Sequence, residues 1–345
     1  MMGIFIGNEV VDLAPLFEAM PQNNYLMNAL GVFDNVPSST PKVVVSDIVT
    51  TNGSLLNTPK SRYSSEHDVT KREQGTERII EIPFFHRSDE IKVADVQGKR
   101  KVGTDSAETL LDITSEYVGK HSVAYYRTRE KQQAQALFAG TVSTPHTEDV
   151  LIDWADVFDV SRMTKEIALS STSVNPFQGF DEIIDATNAK ADGLMGKINR
   201  VAVFATASFY NALRYSTQLA NAFQYVLPQD PANVISQRRE LLPNVSYFSI
   251  PGTNIDIIKC NDPLITQFIP DDTAIALPLF QSGANVYRNI YGPASTSFAL
   301  MDRAPASYYA WQNLRERQDA LDIISEHSSL PVNHGFQFST LITQG

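Results

Sequence analysis

One stretch of helical character, from about Asp105 to Ala139, constrains the fold more than any other part of the sequence. At about 35 residues it is roughly three times the mean length of a globular helix. With a rise of about 1.5 Å per residue it forms a rod of about 50 Å. Asp105 can cap its start, with Glu108 completing a capping box, and Gly140 is a natural stop. We therefore predict one long helix over this range.

The two halves of this rod differ in polarity. Apolar residues such as Leu110 and Tyr117 follow one stripe, whereas the run 127–133 is polar on nearly every face. A half of this kind has no ordinary core to face, so we expect it to lie against other copies of the chain. The candidates for contacts between subunits on the rod are Arg127, Arg129 and Glu130.

A long two-stranded projection is predicted over residues 42–87. Its outgoing strand starts at Val43–Val45, Asn52-Gly53 is a hairpin-turn signal, and Ile79, Ile80 and Ile82 resume the β pattern. The alternative is a disordered loop. A lone ribbon is only marginally stable in water, so we expect a neighbouring molecule to hold it.

Charge is concentrated around this projection, since residues 60–101 contain 10 of the 28 Lys and Arg residues. Mixed charge at this density opposes burial. The basic candidates for contacts between subunits in this arm are Arg62, Lys71, Arg72 and Arg78.

Composition excludes several classes of protein. The net charge is −11, which disfavours tight nucleic-acid binding, although a protein that only encloses DNA needs no basic surface. The sequence has no run of about 18 apolar residues, so we predict no membrane span. The N-terminus lacks the basic start of a secretory signal. Cys260 is the only cysteine, so no intrachain disulfide can form, and we expect synthesis in a reducing cytoplasm.

Chemical motifs are absent or weak. The sequence contains no G-x-S-x-G, H-E-x-x-H or G-x-G-x-x-G pattern, and Gly193–Lys197 fits a turn better than a phosphate loop. The acids Asp149, Asp153, Asp156 and Asp159 could form a cation cluster, but the solvated face of a strand over 150–158 explains them at least as well. We therefore predict no enzyme activity, no cofactor and no metal site.

After residue 175 the pattern is that of an α+β unit. Helices are predicted over 178–195 and 208–225, with strands over 200–206, 246–250, 255–259 and 274–279. This block, about 176–318, is expected to have its own core. The tail, 320–342, returns to a β pattern interrupted at Leu330-Pro331 and resumed at Phe336.

Several short segments, in order, resemble the phage major capsid protein E family, the lambda-type coat proteins. They are Phe17–Pro21, Leu30–Phe33, Ile82–Asp89, Asp95–Gly103, Phe268–Asp272 and Ile324–Pro331. Each is weak alone, but their order and spacing are specific together. The resemblance covers nearly the whole chain.

The resemblance implies an α+β, HK97-like capsid fold, named for the Hong Kong 97 phage. The implied regions are an N-arm (1–41), an E-loop (42–87), a P-domain (88–175) with a spine helix (104–139), an A-domain (176–318) and a closing P-domain strand (319–345). The implied function is self-assembly into pentamers and hexamers that form an icosahedral shell around double-stranded DNA in the virion. Implied partners are a portal, a scaffold and a decoration protein.

Two alternatives stay open. An encapsulin-type compartment, which encloses enzymes, has the same fold, although the family segments above weigh against it. Some relatives also crosslink an E-loop lysine to a neighbour's asparagine. Lys60 and Lys71 lie in this region, but no partner asparagine or catalytic acid can be identified, so we expect a non-covalent lattice.

Overall fold

The computed structural model describes residues 10–20, 25–46, 77–97, 109–143, 150–169, 176–217, 219, 245–250, 252–315, 317 and 319–345. The helices in these ranges are α1 Ala14–Ala19, α2 Leu26–Leu30, α3 Val93–Val96, α4 Leu110–Phe138, α5 Trp154–Phe158, α6 Pro176–Ala191, α7 Ala207–Arg214 and α8 Pro263–Thr266. Short 3-10 helices cover Asp192–Lys197 and Phe336–Phe338.

The strands are, in chain order, β1 Val11–Asp12, β2 Asp34–Pro37, β3 Lys42–Ser46, β4 Glu77–Glu81, β5 Phe84–Lys92, β6 Thr141–Ser143, β7 Val150–Asp153, β8 Met163–Ile167, β9 Ile198–Ala205, β10 Tyr247–Ser249, β11 Ile255–Lys259, β12 Thr273–Phe280, β13 Tyr287–Tyr291, β14 Tyr309–Leu314, β15 Ala320–Ser328, β16 Leu330–Asn333 and β17 Thr340–Gln344.

Two larger sheets organise the fold. An antiparallel sheet has the order β1-β14-β15-β5, and a mixed sheet has the order β10-β11-β9-β12-β17-β8. In the mixed sheet, β11 runs parallel to β9 and β17 runs parallel to β8. Smaller sheets are β16-β13-β2, β3-β4 and β6-β7.

The long helix α4 connects the two larger sheets. Its first half packs on the antiparallel sheet, where Ile113 and Val118 share a cluster with Ile91 of β5 and Ile323 of β15. At its other end Phe138 meets Phe204 of the mixed sheet, with ring centroids 5.0 Å apart. The helix is therefore the common support of both sheets.

The start of α4 differs from the prediction. Asp105 and Glu108 lie outside the described residues, and the helix begins at Leu110, after Thr109. Thr109 caps it and forms the capping box with Asp112, because this pair has the same spacing as the predicted one. The stop is as predicted: Gly140 takes a positive φ of 74°.

The exposure predicted for the second half of α4 is wrong. This half is the more deeply buried one, and Glu130, Gln132, Gln133 and Gln135 are all buried with Leu137. Polar side chains can be buried when local groups satisfy them. Gln135, for example, exchanges hydrogen bonds with the Ser143 hydroxyl at 2.7 and 2.9 Å.

The base of the predicted projection is a two-stranded ribbon, as expected. β3 pairs antiparallel with β4, with Lys42 opposite Glu81 and Val44 opposite Ile79. The return side ends earlier than predicted, because β5, from Phe84, pairs with β15 in the antiparallel sheet. The turn expected at Asn52-Gly53 lies outside the described residues.

The block expected to have its own core, 176–318, shares its sheets with other parts of the chain. Its strands β13 and β14 pair with β16 and β15, whereas β8 and β17, from outside the block, complete the mixed sheet. Strand pairing over such separations carries no local sequence signal.

Two local predictions are also corrected. The strand expected over 150–158 changes to helix α5 at Trp154, because Asp153 caps the Ala155 N–H at 2.8 Å. The tail does break next to Leu330, since β15 ends at Ser328, but Pro331 itself lies on β16, an edge strand of another sheet, where a missing N–H is tolerated. Phe336 instead begins a 3-10 helix.

We predict that α4 must be continuous. Gly119 lies inside it, and a Cβ there meets only the Met20 Sδ, at 3.7 Å. Gly119→Ala should raise the free energy of unfolding by about 1 kcal/mol, and Gly119→Pro should lower it by about 3 kcal/mol or more. Urea denaturation measures both variants. A proline variant as stable as the alanine control would contradict an unbroken helix.

We also predict acid sensitivity through His334. This residue is buried beside Arg288, with Nε2 2.5 Å from the Arg288 Nη2, and burial lowers its pKa to about 3. Since this lies below the unfolded value of about 6.5, its contribution to stability is present above pH 6.5 and is lost as the pH falls toward 3.

The matching variant is His334→Gln, which keeps an acceptor for Arg288 and cannot be protonated. Between pH 6.5 and 5, the unfolding free energy of the wild type should fall relative to that of the variant by up to about 1.4 kcal/mol per pH unit. Urea denaturation at stepped pH tests this. Parallel pH profiles for the two chains would refute it.

Candidate inter-subunit surfaces

The outer face of the ribbon β3-β4 is apolar at its centre and charged at its ends. Val44 and Ile79 lie opposite each other and are 54% and 73% exposed. Glu77 and Glu81 flank Ile79 on the same strand face, since residues two apart in a strand point the same way. An exposed apolar pair of this kind is typical of a surface that another molecule covers.

The inner face of the ribbon packs on the body of the chain. Val45 is buried, and Val43 and Ile80 lie against the core cluster that contains the end of α4. The ribbon is therefore fixed at its base, and its outer face is free within the described chain.

A long groove runs beside the first half of α4. It consists of two adjoining depressions of about 650 Å³ each, which share Arg87, Ala124 and Arg127. Aromatic rings form much of the inner depression, including Phe84 and Tyr308. The outer depression has Val123 in its wall and is bordered by Lys120 and Glu116.

Hydrogen bonds and ring contacts fix the wall of this groove. The Nε2 of His121 lies 2.7 Å from the Asp89 Oδ2, and the Arg87 Nε donates to the same oxygen at 3.4 Å. His327 stacks on Phe85, with ring centroids 5.0 Å apart. Tyr125 meets the His327 ring edge-on at 4.9 Å.

Burial and hydrogen bonds shift the pKa values of the titratable groups in this wall. Burial lowers the pKa of His121, although its bond to Asp89 opposes the shift. Burial would raise the pKa of the Asp89 carboxyl, but the bonds from His121 and Arg87 outweigh it and hold that pKa below its usual range. Burial lowers the pKa of His327 to about 3. At neutral pH His121 and His327 are therefore uncharged, and arginine and lysine contribute positive charge to the groove.

The predicted contact residues fall into different environments. Arg78 and Arg127 are exposed, and Arg127 lies on the rim of the groove. Arg127 has no ion pair with any residue that the structure describes. Arg129 is half-buried and donates to the Asn35 Oδ1 at 2.9 Å, so it serves the chain's own packing. The other arginines and lysine proposed for the arm, Arg62, Lys71 and Arg72, lie outside the described residues.

Glu130 is the clearest correction. It is 1% exposed, and its carboxylate accepts the backbone N–H groups of Met27 at 2.7 Å and Asn28 at 3.3 Å. Because both oxygens are used inside the chain, it is not a surface contact residue. The polar run on α4 predicted exposure only because the segment that covers it, α2, is distant in sequence.

Sequence reasoning missed the two surfaces that the structure shows best. Val44 and Ile79 were treated only as strand residues, because the runs Val43–Val45 and Ile79-Ile80 are apolar on both strand faces and do not show which face is exposed. Arg87 and Lys120 come together only through the packing of β5 beside α4, which no local pattern indicates.

The described residues show neither a metal site nor a membrane span. Within these ranges no three His, Cys, Asp or Glu side chains are grouped to hold a metal ion. No helix in the described part of the chain is long and apolar enough to cross a membrane. Asp153 and Asp159 have backbone roles, since Asp153 caps α5 and Asp159 ends it in the left-handed region at φ 51°.

Comparisons with known proteins agree with this architecture. The major capsid protein of Pseudomonas phage KPP10 is 21% identical over 348 residues, covering 98% of this chain and 96% of that protein. The crystal structure of the putative capsid protein of a prophage of E. coli CFT073 has a TM-score of 0.58 at 13% identity, covering 98% of this chain and all of that one. The fold is thus the α+β, HK97-like capsid fold.

An encapsulin is also similar in structure, but too distantly to support an argument. The SrpI encapsulin of Synechococcus elongatus PCC 7942 has a TM-score of 0.48 at 8% identity, covering 94% of this chain and 90% of that one. By contrast, the model of the family described as phage major capsid protein E matches residues 9–337. The chain therefore belongs to the phage major capsid protein E family.

Proposed function

We propose that this capsid protein assembles with copies of itself into pentamers and hexamers, and that these close an icosahedral phage head around double-stranded DNA. In this proposal residues 1–41 are the N-arm, 42–87 the E-loop, 88–175 and 319–345 the P-domain, and 176–318 the A-domain, which points to the capsomer axis. Assembly takes place in the host cytoplasm. The observation that carries the assembly step is the match between the ribbon and the groove.

The ribbon and the groove both have an apolar centre and charged edges. The ribbon presents Val44 and Ile79 between the acids Glu77 and Glu81, with Lys42 paired to Glu81 at 4.0 Å. The groove presents aromatic and aliphatic side chains behind a rim that includes Arg87, Lys120 and Arg127. We infer that the ribbon of one copy lies in the groove of the next.

A contact of this kind builds rings. The two surfaces differ, so each copy offers its ribbon to one neighbour and its groove to another. Heterologous contacts generate closed rings when the rotation between copies closes. Pentamers and hexamers are such rings, and they tile a shell.

The apolar pair supplies most of the free energy of this contact. Burying a side chain such as Val or Ile contributes about 1.5–3 kcal/mol, whereas an exposed ion pair contributes about 0–1 kcal/mol. The charges therefore set the orientation and the partner more than the strength. Repetition over the whole shell makes weak contacts cooperative.

The enclosed DNA needs no specific binding site in this proposal. A chain of net charge −11 repels phosphate, so the shell encloses the genome without binding it tightly. Filling such a shell requires an entry, for which a portal is the expected partner. A scaffold and a decoration protein are further proposed partners.

Expression of the full chain alone tests the assembly step. Negative-stain electron microscopy should show closed shells of uniform size with rings of five and six subunits, and virions should contain nuclease-protected DNA inside a shell of this chain. A chain that stays monomeric, or that forms open filaments, would refute the proposal. Particles that copurify with one cargo enzyme would support the compartment alternative instead.

The ribbon contact predicts a specific assembly defect. Replacing Val44 and Ile79 together by serine should leave the isolated chain folded but abolish shells, because the apolar centre of the contact is lost. Met195→Ser is a matched control, since Met195 is 54% exposed like Val44 but lies on neither surface. Particle yield by sedimentation and electron microscopy is the measurement.

The groove predicts a reciprocal defect at Arg127. Arg127→Glu should raise the chain concentration needed for assembly by about tenfold and reverse the effect of salt, since like charges then face each other. Shells formed by either variant as readily as by wild type would show that the ribbon and the groove do not meet.

A further inference from the structure

Glu130 joins two parts of the chain that are distant in sequence. It lies on α4, and its carboxylate accepts the N–H groups of Met27 and Asn28 at 2.7 and 3.3 Å. These are the second and third residues of α2, whose N-cap, Tyr25, makes no side-chain capping bond. Glu130 therefore supplies the cap for α2 from the other element.

The charged and titratable groups around this carboxylate are few. Asp262 faces it from the start of α8, where it caps the Leu264 N–H at 2.9 Å. Cys260 lies beside both acids, and burial raises the pKa of its thiol to about 12, so it stays neutral. Arg129, next to Glu130 on α4, donates to Asn35 instead.

The ionised carboxylate of Glu130 is therefore held in surroundings that disfavour a negative charge. Burial raises the pKa of Glu130 to about 7, with Asp262 adding to the shift and the two N–H donors opposing it. A protonated carboxyl group still offers its carbonyl oxygen to an N–H, but it no longer places a charge in the interior or opposite Asp262.

The sign of the pH dependence follows. The pKa in the folded chain lies above the unfolded value of about 4.5, so the folded chain binds the proton more tightly. The contribution of protonated Glu130 to the stability of the folded chain is fully present below pH 4.5 and is lost as the pH rises through about 7. This pH dependence of stability is opposite in sign to the one predicted for His334, whose contribution is lost as the pH falls.

We propose that Glu130, buried between α4 and the first turn of α2, is a proton-operated clamp, which holds α2 against the long helix more firmly when its carboxyl is protonated than when it is ionised. The segment after α2 forms β2 and then β3, the first strand of the ribbon. The clamp therefore controls how firmly the root of the ribbon is held. Its effect on shell assembly rests on the proposed function, whereas the clamp itself does not.

Hydrogen exchange in the unassembled full-length chain tests the clamp directly. Peptides that contain Met27 and Asn28 report the opening of α2 after correction for the intrinsic effect of pH on exchange. In wild type the opening equilibrium should increase about tenfold from pH 6 to pH 8. In Glu130→Gln, which keeps one acceptor without a charge, it should stay constant.

A second variant keeps the test valid if Glu130→Gln fails to fold. Asp262→Asn retains the cap of α8, because asparagine caps as well as aspartate, but it removes the like charge. The midpoint of the wild-type transition should then move to lower pH. Glu116→Gln, an exposed change on the same helix, should leave it unchanged.

A wild-type profile as flat as that of Glu130→Gln, or an unmoved midpoint in Asp262→Asn, would overturn the clamp. These outcomes are independent of whether the chain forms shells. Shells with no exchange difference would reject the clamp alone, and an exchange difference without shells would reject the proposed function alone.

Discussion

The burial of the polar second half of α4 is the constraint on which the rest of the structure depends. The first half of this helix behaves as an ordinary amphipathic helix against the antiparallel sheet. The second half lies in the core although its sequence is polar, and other segments satisfy part of it, whereas the Gln132 amide and the Gln133 Oε1 have no hydrogen-bond partner among the described residues. Met27 and Asn28 donate to Glu130, Ser143 bonds Gln135, and the Arg162 guanidinium donates to the Leu137 carbonyl. The N-terminal segment, the β6-β7 pair and the start of β8 are thereby fixed to one rod.

This arrangement decides which surfaces remain for other copies. Since most of the polar half of the rod is covered from within, the surfaces proposed for contacts between subunits are the groove beside α4 and the ribbon. Each of these surfaces combines apolar and charged groups: the ribbon carries exposed Val44 and Ile79 beside charged residues, and the groove beside α4 carries aromatic rings with Arg127 on its rim. In the proposed assembly, the ribbon has a fixed root in its own subunit and meets a fixed wall in the neighbouring subunit.

The sequence predicted the fold family and most local elements, but not the environment of individual polar residues. Strong periodic signals in the sequence predicted the long helix, the ribbon base and strands such as β9 and β11. The family resemblance predicted the fold in which these elements are arranged. Glu130 was misplaced because its partners lie about a hundred residues away. The N-cap of α4 is Thr109, four residues after the predicted Asp105, because both positions are followed three residues later by an acid. Pairing of β13 and β14 outside their block depends on the tertiary fold alone.

Cryo-electron microscopy of the assembled particle tests the central claim most directly, because it shows which surface covers the ribbon. The account predicts that Val44 and Ile79 of each copy lie in the groove beside α4 of an adjacent copy, with Glu77 and Glu81 facing Arg87, Lys120 or Arg127. A shell in which this face of the ribbon is open to solvent, or in which the groove is filled by some other segment, would contradict it.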